Sequence, residues 1–134
     1  MKRAVTIIAL VLASGACFHD STAPIPATIH GRWRLKTIDG EPLPQVYAEV
    51  TNFKLEFVGG SLTLRQDNTF SDSTDLRRTE NAVAHRVIDV AEGNWAQAGD
   101  TLKLNSTRGE HYFMLFSEQT LKQDLGGKIL IYKR

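Results

Sequence analysis

Apolar and polar residues alternate along most of the chain after residue 28, with a period of two rather than 3.6. Residues 53–57 place a large apolar side chain at every second position, and in residues 32–37 Trp33, Leu35 and Thr37 alternate with basic residues. This is the pattern of a β-strand that buries one face. Turn formers such as Asp39-Gly40, Asp67-Asn68 and Gly99-Asp100 separate the alternating segments. About eight short strands at even spacing predict an antiparallel sandwich or barrel.

Residues 42–50 follow this pattern less well. Pro42 and Pro44 lack the backbone N–H that a strand ladder needs, so we expect an irregular segment there. Residues 46–50 are predicted to form one helical turn. No long amphipathic helix is predicted elsewhere.

The N-terminus has the layout of an export signal. Lys2 and Arg3 precede ten apolar residues, 4–13, and three small residues, 14–16. A bilayer-spanning helix needs about 20 apolar residues. We therefore expect residues 1–16 to be a cleaved signal peptide rather than a membrane anchor.

Cys17 follows the small residues directly and is the only cysteine in the chain. The phrase Gly15-Ala16-Cys17 resembles the bacterial lipobox, although Ser14 stands where that motif usually has Leu. The resemblance implies that Cys17 becomes the first mature residue and carries covalent acyl chains such as palmitate. Phe18, rather than Asp, after the cysteine implies the outer membrane, with the periplasmic or surface side left open. The alternative is an ordinary secretory signal, cleaved after Ala16, that leaves a free thiol.

Residues 17–29 are predicted to be a tether, and residues 30–134 a single domain. Pro24 and Pro26 favour an extended backbone in the tether. About ten extended residues reach on the order of 30 Å, so we expect the domain to lie close to the membrane.

Charge excludes one class of partner. The chain has 134 residues, with 16 Lys and Arg against 15 Asp and Glu, and removing Lys2 and Arg3 leaves 14 against 15. Such a balance provides no basic face for phosphates, so no nucleic-acid partner is expected. It also gives anionic lipids no electrostatic attraction.

Three short phrases in order resemble the lipocalin-like bacterial lipoproteins. Residues 31–44 begin Gly-Arg-Trp and continue to Gly-Glu-Pro-Leu-Pro, and residues 60–70 and 93–104 resemble the second and third signature hairpins of that family. The resemblance covers most of residues 31–134. It implies an eight-stranded antiparallel up-and-down barrel. It also implies that Trp33 closes one end of the barrel beneath a cation from Arg134 or Lys133, and that a small hydrophobic ligand is bound.

Alternation predicts which side chains face the interior of this barrel. They are large apolar residues of the predicted strands between residues 53 and 70: Phe53, Leu55, Phe57, Leu62, Leu64 and Phe70. They form either a pocket for an apolar ligand or a plain packed core, because a short eight-stranded barrel can be filled by its own side chains.

No catalytic site, cofactor site or metal site is predicted. No Gly-x-Ser-x-Gly or Ser-x-x-Lys phrase occurs, and no two histidines stand at a spacing typical of metal ligands. Asp72, Asp75 and Glu80 lie on a polar segment that is either a cation site or, as we expect, a solvated hairpin.

The alternative to a ligand carrier is a non-enzymatic interaction protein with a filled barrel, such as a hydrolase inhibitor or an assembly factor of the envelope. Residues 111–116 are apolar on both faces. One of those faces is therefore expected to be covered by a crossing segment, a partner protein or the membrane surface.

Overall fold

The computed structural model describes residues 28–134. The predicted signal peptide, most of the predicted tether and Cys17 lie outside the described residues. The described part is all-β, as the alternation predicts, and no helix in it is long and apolar enough to cross a bilayer. Its strands are β1 (Gly31–Ile38), β2 (Glu41–Pro42), β3 (Gln45–Val50), β4 (Phe53–Leu64), β5 (Thr69–Glu80), β6 (Val83–Ala98), β7 (Thr101–Ser106), β8 (His111–Ser117), β9 (Thr120–Leu125) and β10 (Lys128–Lys133).

Eight of these strands close into an antiparallel up-and-down barrel, which confirms the predicted fold class. From β4 to β10 each strand pairs with the next one in the chain, and β1 pairs with both β10 and β4. The closing contact aligns residues 31–34 of β1 with residues 61–64 of β4. The short strands β2 and β3 are additions that pair with β1 and β4 respectively.

Two details of the first strands differ from the alternation. The pairing of β1 with β10 shifts between Leu35 and Thr37. Ile38 rather than Thr37 is therefore the buried residue after Leu35. The helical turn predicted over residues 46–50 is wrong, because these residues form β3, hydrogen-bonded along β4. Pairing partners from a neighbouring strand supply backbone hydrogen bonds that a single helical turn lacks.

A bulge in β4 keeps its apolar residues inside the barrel. Phe57 and Leu62 are five residues apart, so strict alternation would place them on opposite faces. The register with β5 shifts between Phe57 and Gly59, which leaves Val58 as the extra residue. Both Phe57 and Leu62 are consequently buried.

The two ends of the barrel differ. At the filled end, large side chains pack completely, among them Trp33, Phe70, Leu102 and Leu121. The turns at residues 65–68, 99–100 and 118–119 and the end of β10 lie at this end. The described chain also enters here, since Ile29 packs in the same core. The open end carries the turns at residues 39–40, 107–110 and 126–127 and contains a cavity.

Strands β4, β5 and β6 extend past the open end as a sheet. Within the described residues β7 pairs with β6 only over residues 93–98, whereas β5 pairs with β6 over its whole length. Residues 83–91 of β6 therefore have one unpaired edge in the described part of the chain. Val83, Ile88 and Val90 on this segment are each about half exposed.

Candidate functional site

The open end of the barrel holds a cavity of about 230 Å³. For comparison, an engineered cavity of about 150 Å³ binds benzene. Its lining comes from six of the eight barrel strands (β4, β5, β6, β8, β9 and β10), from β3 and from the β7–β8 turn. The lining residues are Tyr47, Leu55, Phe57, Asp72, Thr74, Leu76, Asp89, Ala91, Arg108, Tyr112, Gln123, Leu125, Leu130 and Tyr132.

The six residues predicted to form a pocket do not all line the cavity. Leu55 and Phe57 line the cavity. Leu62, Leu64 and Phe70 are almost completely buried in the core below it.

Phe53, the sixth of them, lies on the sheet extension. The Arg78 guanidinium carbon stands 5.8 Å from the centre of its ring. Only the two residues nearest the bulge of β4 therefore meet empty space, because the strand runs from the packed core past the open end.

Tyr47 forms one side of the entrance. Its ring meets Phe57 edge-on, with 5.3 Å between the ring centres. The strand that carries Tyr47 is β3, the segment for which the sequence predicted a helical turn. The pairing of β3 with β4 places this aromatic side chain over the cavity.

Polar residues at the bottom of the cavity are the part that sequence reasoning missed. Asp72 is central to them. It stands opposite Leu62 of β4 and Ala91 of β6 in the register. The signal was present in the chain, because Asp72 and Thr74 share the parity of Phe70 and Leu76. Alternation thus assigns all four to the inner face, and Asp72 does not belong to a solvated hairpin.

The carboxylate of Asp72 is poorly compensated. Its Oδ1 is inaccessible to solvent and has no hydrogen-bond partner among the described residues. Burial, together with the negative charge of Asp89, raises the pKa of Asp72 to about 6. The backbone N–H of Ser73 and the charge of Arg108 lower this pKa, but neither gives Oδ1 a hydrogen-bond partner. A buried carboxylate oxygen without a donor is costly, and groups with shifted pKa values are concentrated at functional sites.

Arg108 spans the rim. Its guanidinium contacts both carboxylate oxygens of Asp89, at 2.9 and 3.3 Å, and Oε2 of Glu110 at 3.0 Å. These bonds hold the pKa of Asp89 below its usual value. Tyr112 donates a hydrogen bond to the same Glu110 carboxylate. Arg108, the cation among the lining residues, is therefore paired with Asp89 and Glu110, although its charge still lowers the pKa of Asp72.

Tyr132 and Gln123 complete the polar lining. The Tyr132 hydroxyl donates to Oε1 of Gln123 over 3.5 Å, at the edge of hydrogen-bonding distance. Burial, and next the charge of Asp72, raise the pKa of Tyr132 well above its usual value. Both residues also border a space of about 10 Å³ between Asp72 and the core. The bottom of the cavity is thus polar while its walls are apolar.

The other acidic residues of β5 are satisfied on the surface. Asp75 accepts two hydrogen bonds from Arg86, at 2.9 and 2.7 Å, and Glu80 pairs with Arg78. No group of three or more His, Cys, Asp or Glu residues within residues 28–134 is arranged to hold a metal ion. His111 contacts Oδ1 of Asn105 at 2.8 Å.

At the filled end Trp33 lies beneath Arg134. The guanidinium carbon of Arg134 is 4.5 Å from the centre of the Trp33 ring. Trp33 is 1% exposed, and its indole N–H donates to the carbonyl of Ile29 at 2.9 Å. Phe116 meets the same ring edge-on. The interior of the barrel is packed at this end.

The outward face of β8 stays uncovered within the described residues. Phe113 is 60% exposed and Leu115 is 47% exposed. We expected one face of residues 111–116 to be covered, but no segment between residues 28 and 134 covers the outward face.

Comparisons of the chain with protein-family models, with curated proteins and with solved structures returned no match.

Proposed function

We propose that this protein is a non-enzymatic, lipocalin-like lipoprotein of the outer membrane, anchored through acyl chains on Cys17, that carries a small ligand in the open end of its barrel. The cavity of about 230 Å³ is the observation that supports this proposal. Apolar walls with a few polar groups at the bottom are typical of small-molecule sites. The volume suits a ligand of about one substituted aromatic ring.

The position of the cavity bears on how the ligand arrives. Ile29, the last residue of the proposed tether, packs at the filled end, and the cavity opens at the opposite end of the barrel. An anchor at Cys17 would therefore attach on the side away from the entrance. In this proposal the ligand enters from the aqueous phase rather than directly from the bilayer.

Calorimetric titration of the full-length chain with benzyl alcohol, a neutral probe of the right size, tests the carrier function. Saturable binding is expected for the natural chain. Ala91 lines the cavity and its replacement by leucine adds atoms inside it, so Ala91→Leu should abolish binding. Ala96→Leu adds the same atoms to an exposed position of the same strand and should bind normally. Equal binding by the two variants would place the probe elsewhere and contradict the proposal.

The anchor has its own test. Metabolic labelling with a fatty-acid analogue should mark the natural chain and not Cys17→Ser, and the labelled protein should fractionate with the outer membrane. Label retained by Cys17→Ser would show that the lipid is attached at another residue, and would contradict the proposed anchor.

The second candidate, an interaction protein, is favoured by the unpaired edge of β6. An exposed edge with apolar side chains is a template on which an extended segment of a partner can add as a strand. A photo-crosslinking residue at Val87 should then capture one discrete envelope protein in cells, while the same residue at Ala96, which lies in the paired half of β6, should not. Equal or absent capture at both positions would count against this candidate.

A further inference from the structure

The strongest unexplained feature of the cavity is the carboxylate of Asp72. It lies where the packed core ends and the cavity begins, between Leu62 and Ala91 on the flanking strands. Neither neighbour provides a hydrogen-bond donor from its side chain. Oδ1 of Asp72 is buried and without a hydrogen-bond partner in residues 28–134. A buried carboxylate oxygen without a donor is unfavourable, so a cation or a hydrogen-bond donor bound at Oδ1 would stabilise the folded protein.

The charges around the cavity favour a cation over a neutral donor. The charged groups that line it are Asp72 from β5, Asp89 from β6 and Arg108 from the β7–β8 turn. Arg108 is bound to Asp89 and also to Glu110 at the rim. The lining therefore carries one negative charge in excess, and Asp72 is the lining carboxylate that forms no ion pair within residues 28–134.

The walls limit the rest of the ligand. Leu76, Leu125 and Leu130 surround the space above Asp72, and Phe57 with Tyr47 closes one side of the entrance. An apolar body fits these walls, and a volume of about 230 Å³ admits only a small one. A strongly hydrated inorganic ion would leave the apolar walls unused.

We propose that the cavity selects small organic ammonium ions, in which an apolar body of about one ring occupies the walls and the ammonium group binds the carboxylate of Asp72. This inference rests on the proposed ligand-carrying function and specifies its substrate class. The ammonium group supplies both the positive charge and the N–H donors that Oδ1 lacks. Tyr132 and Gln123 lie beside the same carboxylate and offer oxygen acceptors for the remaining N–H groups.

Affinity for such a ligand should rise with pH across the weakly acidic range. The pKa of Asp72 is about 6 in the free protein, and only the ionised form attracts the ammonium group. Asp89, Tyr112 and Tyr132, which also face the cavity, do not change charge between pH 5 and 8. The pKa of Asp89 is lowered by Arg108, that of Tyr112 is raised to about 12, and that of Tyr132 is raised further. An aliphatic ammonium group stays protonated over this range, as the lysine side chain does with its pKa of about 10.4.

Calorimetric titration of the full-length chain with benzylamine, benzyl alcohol and benzoate tests the selectivity, because the three probes share a ring and differ in charge. At pH 7.5 benzylamine should bind at least about tenfold more tightly than benzyl alcohol, as expected for a charge-assisted contact of about 1.4 kcal/mol or more. Benzoate should not bind detectably. Lowering the pH from 7.5 to 5 should weaken benzylamine and leave benzyl alcohol unchanged.

The variant Asp72→Asn removes the charge at nearly constant shape and should bind benzylamine and benzyl alcohol equally. Asp75→Asn is the matched control, because Asp75 lies on the same strand but pairs with Arg86 on the outer face. That variant should keep the preference for benzylamine. If Asp72→Asn does not fold, the pH titration of the natural chain decides the question by itself.

The outcomes separate this inference from the function on which it rests. Binding of benzyl alcohol with no preference for benzylamine would overturn the ammonium selectivity and leave the carrier function standing. If benzyl alcohol binds more tightly at pH 5 than at pH 7.5 and benzylamine does not weaken, the protonated Asp72 donates a hydrogen bond to a neutral ligand. This result would also overturn the ammonium selectivity. Failure of all three probes to bind would overturn both proposals.

Discussion

The guanidinium of Arg134 lies 4.5 Å from the centre of the Trp33 ring and donates a hydrogen bond to the carbonyl of His30 at 2.9 Å. One side chain thus covers the filled end of the barrel and fixes the start of β1 against the end of β10. The residues that it joins are 104 positions apart in the chain. This contact has the geometry of a cation–π pair on an almost fully buried tryptophan.

Replacing Arg134 by alanine should lower the free energy of unfolding by about 1–2 kcal/mol, because the cation–π contact and one hydrogen bond are lost together. Urea denaturation measures the effect. Lys133→Ala, at the exposed neighbouring position, should change the stability by less than about 0.5 kcal/mol. Equal effects of the two substitutions would mean that the contact contributes nothing.

Gly93 is predicted to tolerate no side chain. A Cβ atom at this position would lie 2.0 Å from the carbonyl oxygen of Asn105 and 2.9 Å from the ring of Phe70. Gly93→Ala should therefore push β6 away from β7 and destabilise the protein by about 3 kcal/mol or more. Gly59→Ala is the control, since its Cβ would meet only Asp75 at ordinary distances of 3.6 Å and above. Thermal unfolding of both variants should show a large loss for Gly93→Ala alone.

Asp72 should make the stability of the protein depend on pH. The unfolded carboxyl loses its proton near pH 3.8, whereas the folded one keeps it until about pH 6. Stability therefore falls as the pH rises from about 4 to about 6 and stays lower above that. By linkage the loss is at most about 3 kcal/mol.

Denaturation of Asp72→Asn across this pH range checks the expectation. The variant should lack this fall and be more stable than the natural chain at pH 7, with the gain disappearing near pH 4. A gain that is the same at pH 4 and pH 7 would show that the charge of Asp72 is not its cause.

Shortening a buried leucine to alanine should lower the free energy of unfolding more at the filled end than at the open end. Leu102 is fully buried, and Leu102→Ala is expected to lower the free energy of unfolding by about 2–5 kcal/mol. Leu55 borders the cavity and is only half-buried, so Leu55→Ala should cost about 1–2 kcal/mol. Chemical denaturation of the two variants compares the ends directly. Similar losses would indicate that the open end is packed as tightly as the filled end.

Much of the fold could be predicted from local alternation. A strand buries one face, so residues such as Trp33, Leu62 and Leu64 were expected inside before any tertiary contact was known. The two-residue turn at Asp39-Gly40 also follows from the chain, because both residues have positive φ (53° and 84°), which Asp and Gly tolerate. The barrel itself needed more than alternation, since the same pattern also fits a sandwich.

The candidate site was less predictable. The polar residues that line the cavity with Asp72 come from the β7–β8 turn (Arg108), from β8 (Tyr112) and from β9 (Gln123). They approach Asp72 only when the sheet closes into a barrel. The barrel has a filled end and an open end because β4, β5 and β6 extend beyond the strands that pair with them. Where this extension begins depends on the pairing register. The local spacing of apolar residues does not indicate at which residue a strand from a distant part of the chain ends.

The sequence by itself therefore determined the all-β class, the inner face of most strands and an N-terminus resembling that of a lipoprotein. These depend on the two-residue period of a strand and on short contiguous motifs. Only the tertiary structure decided that β1 closes on β4, that a bulge at Val58 corrects the phase of β4, and that Asp72 faces a cavity rather than solvent. Each of these is set by hydrogen-bond pairing between segments far apart in the chain, where a shift of one residue reverses every side chain.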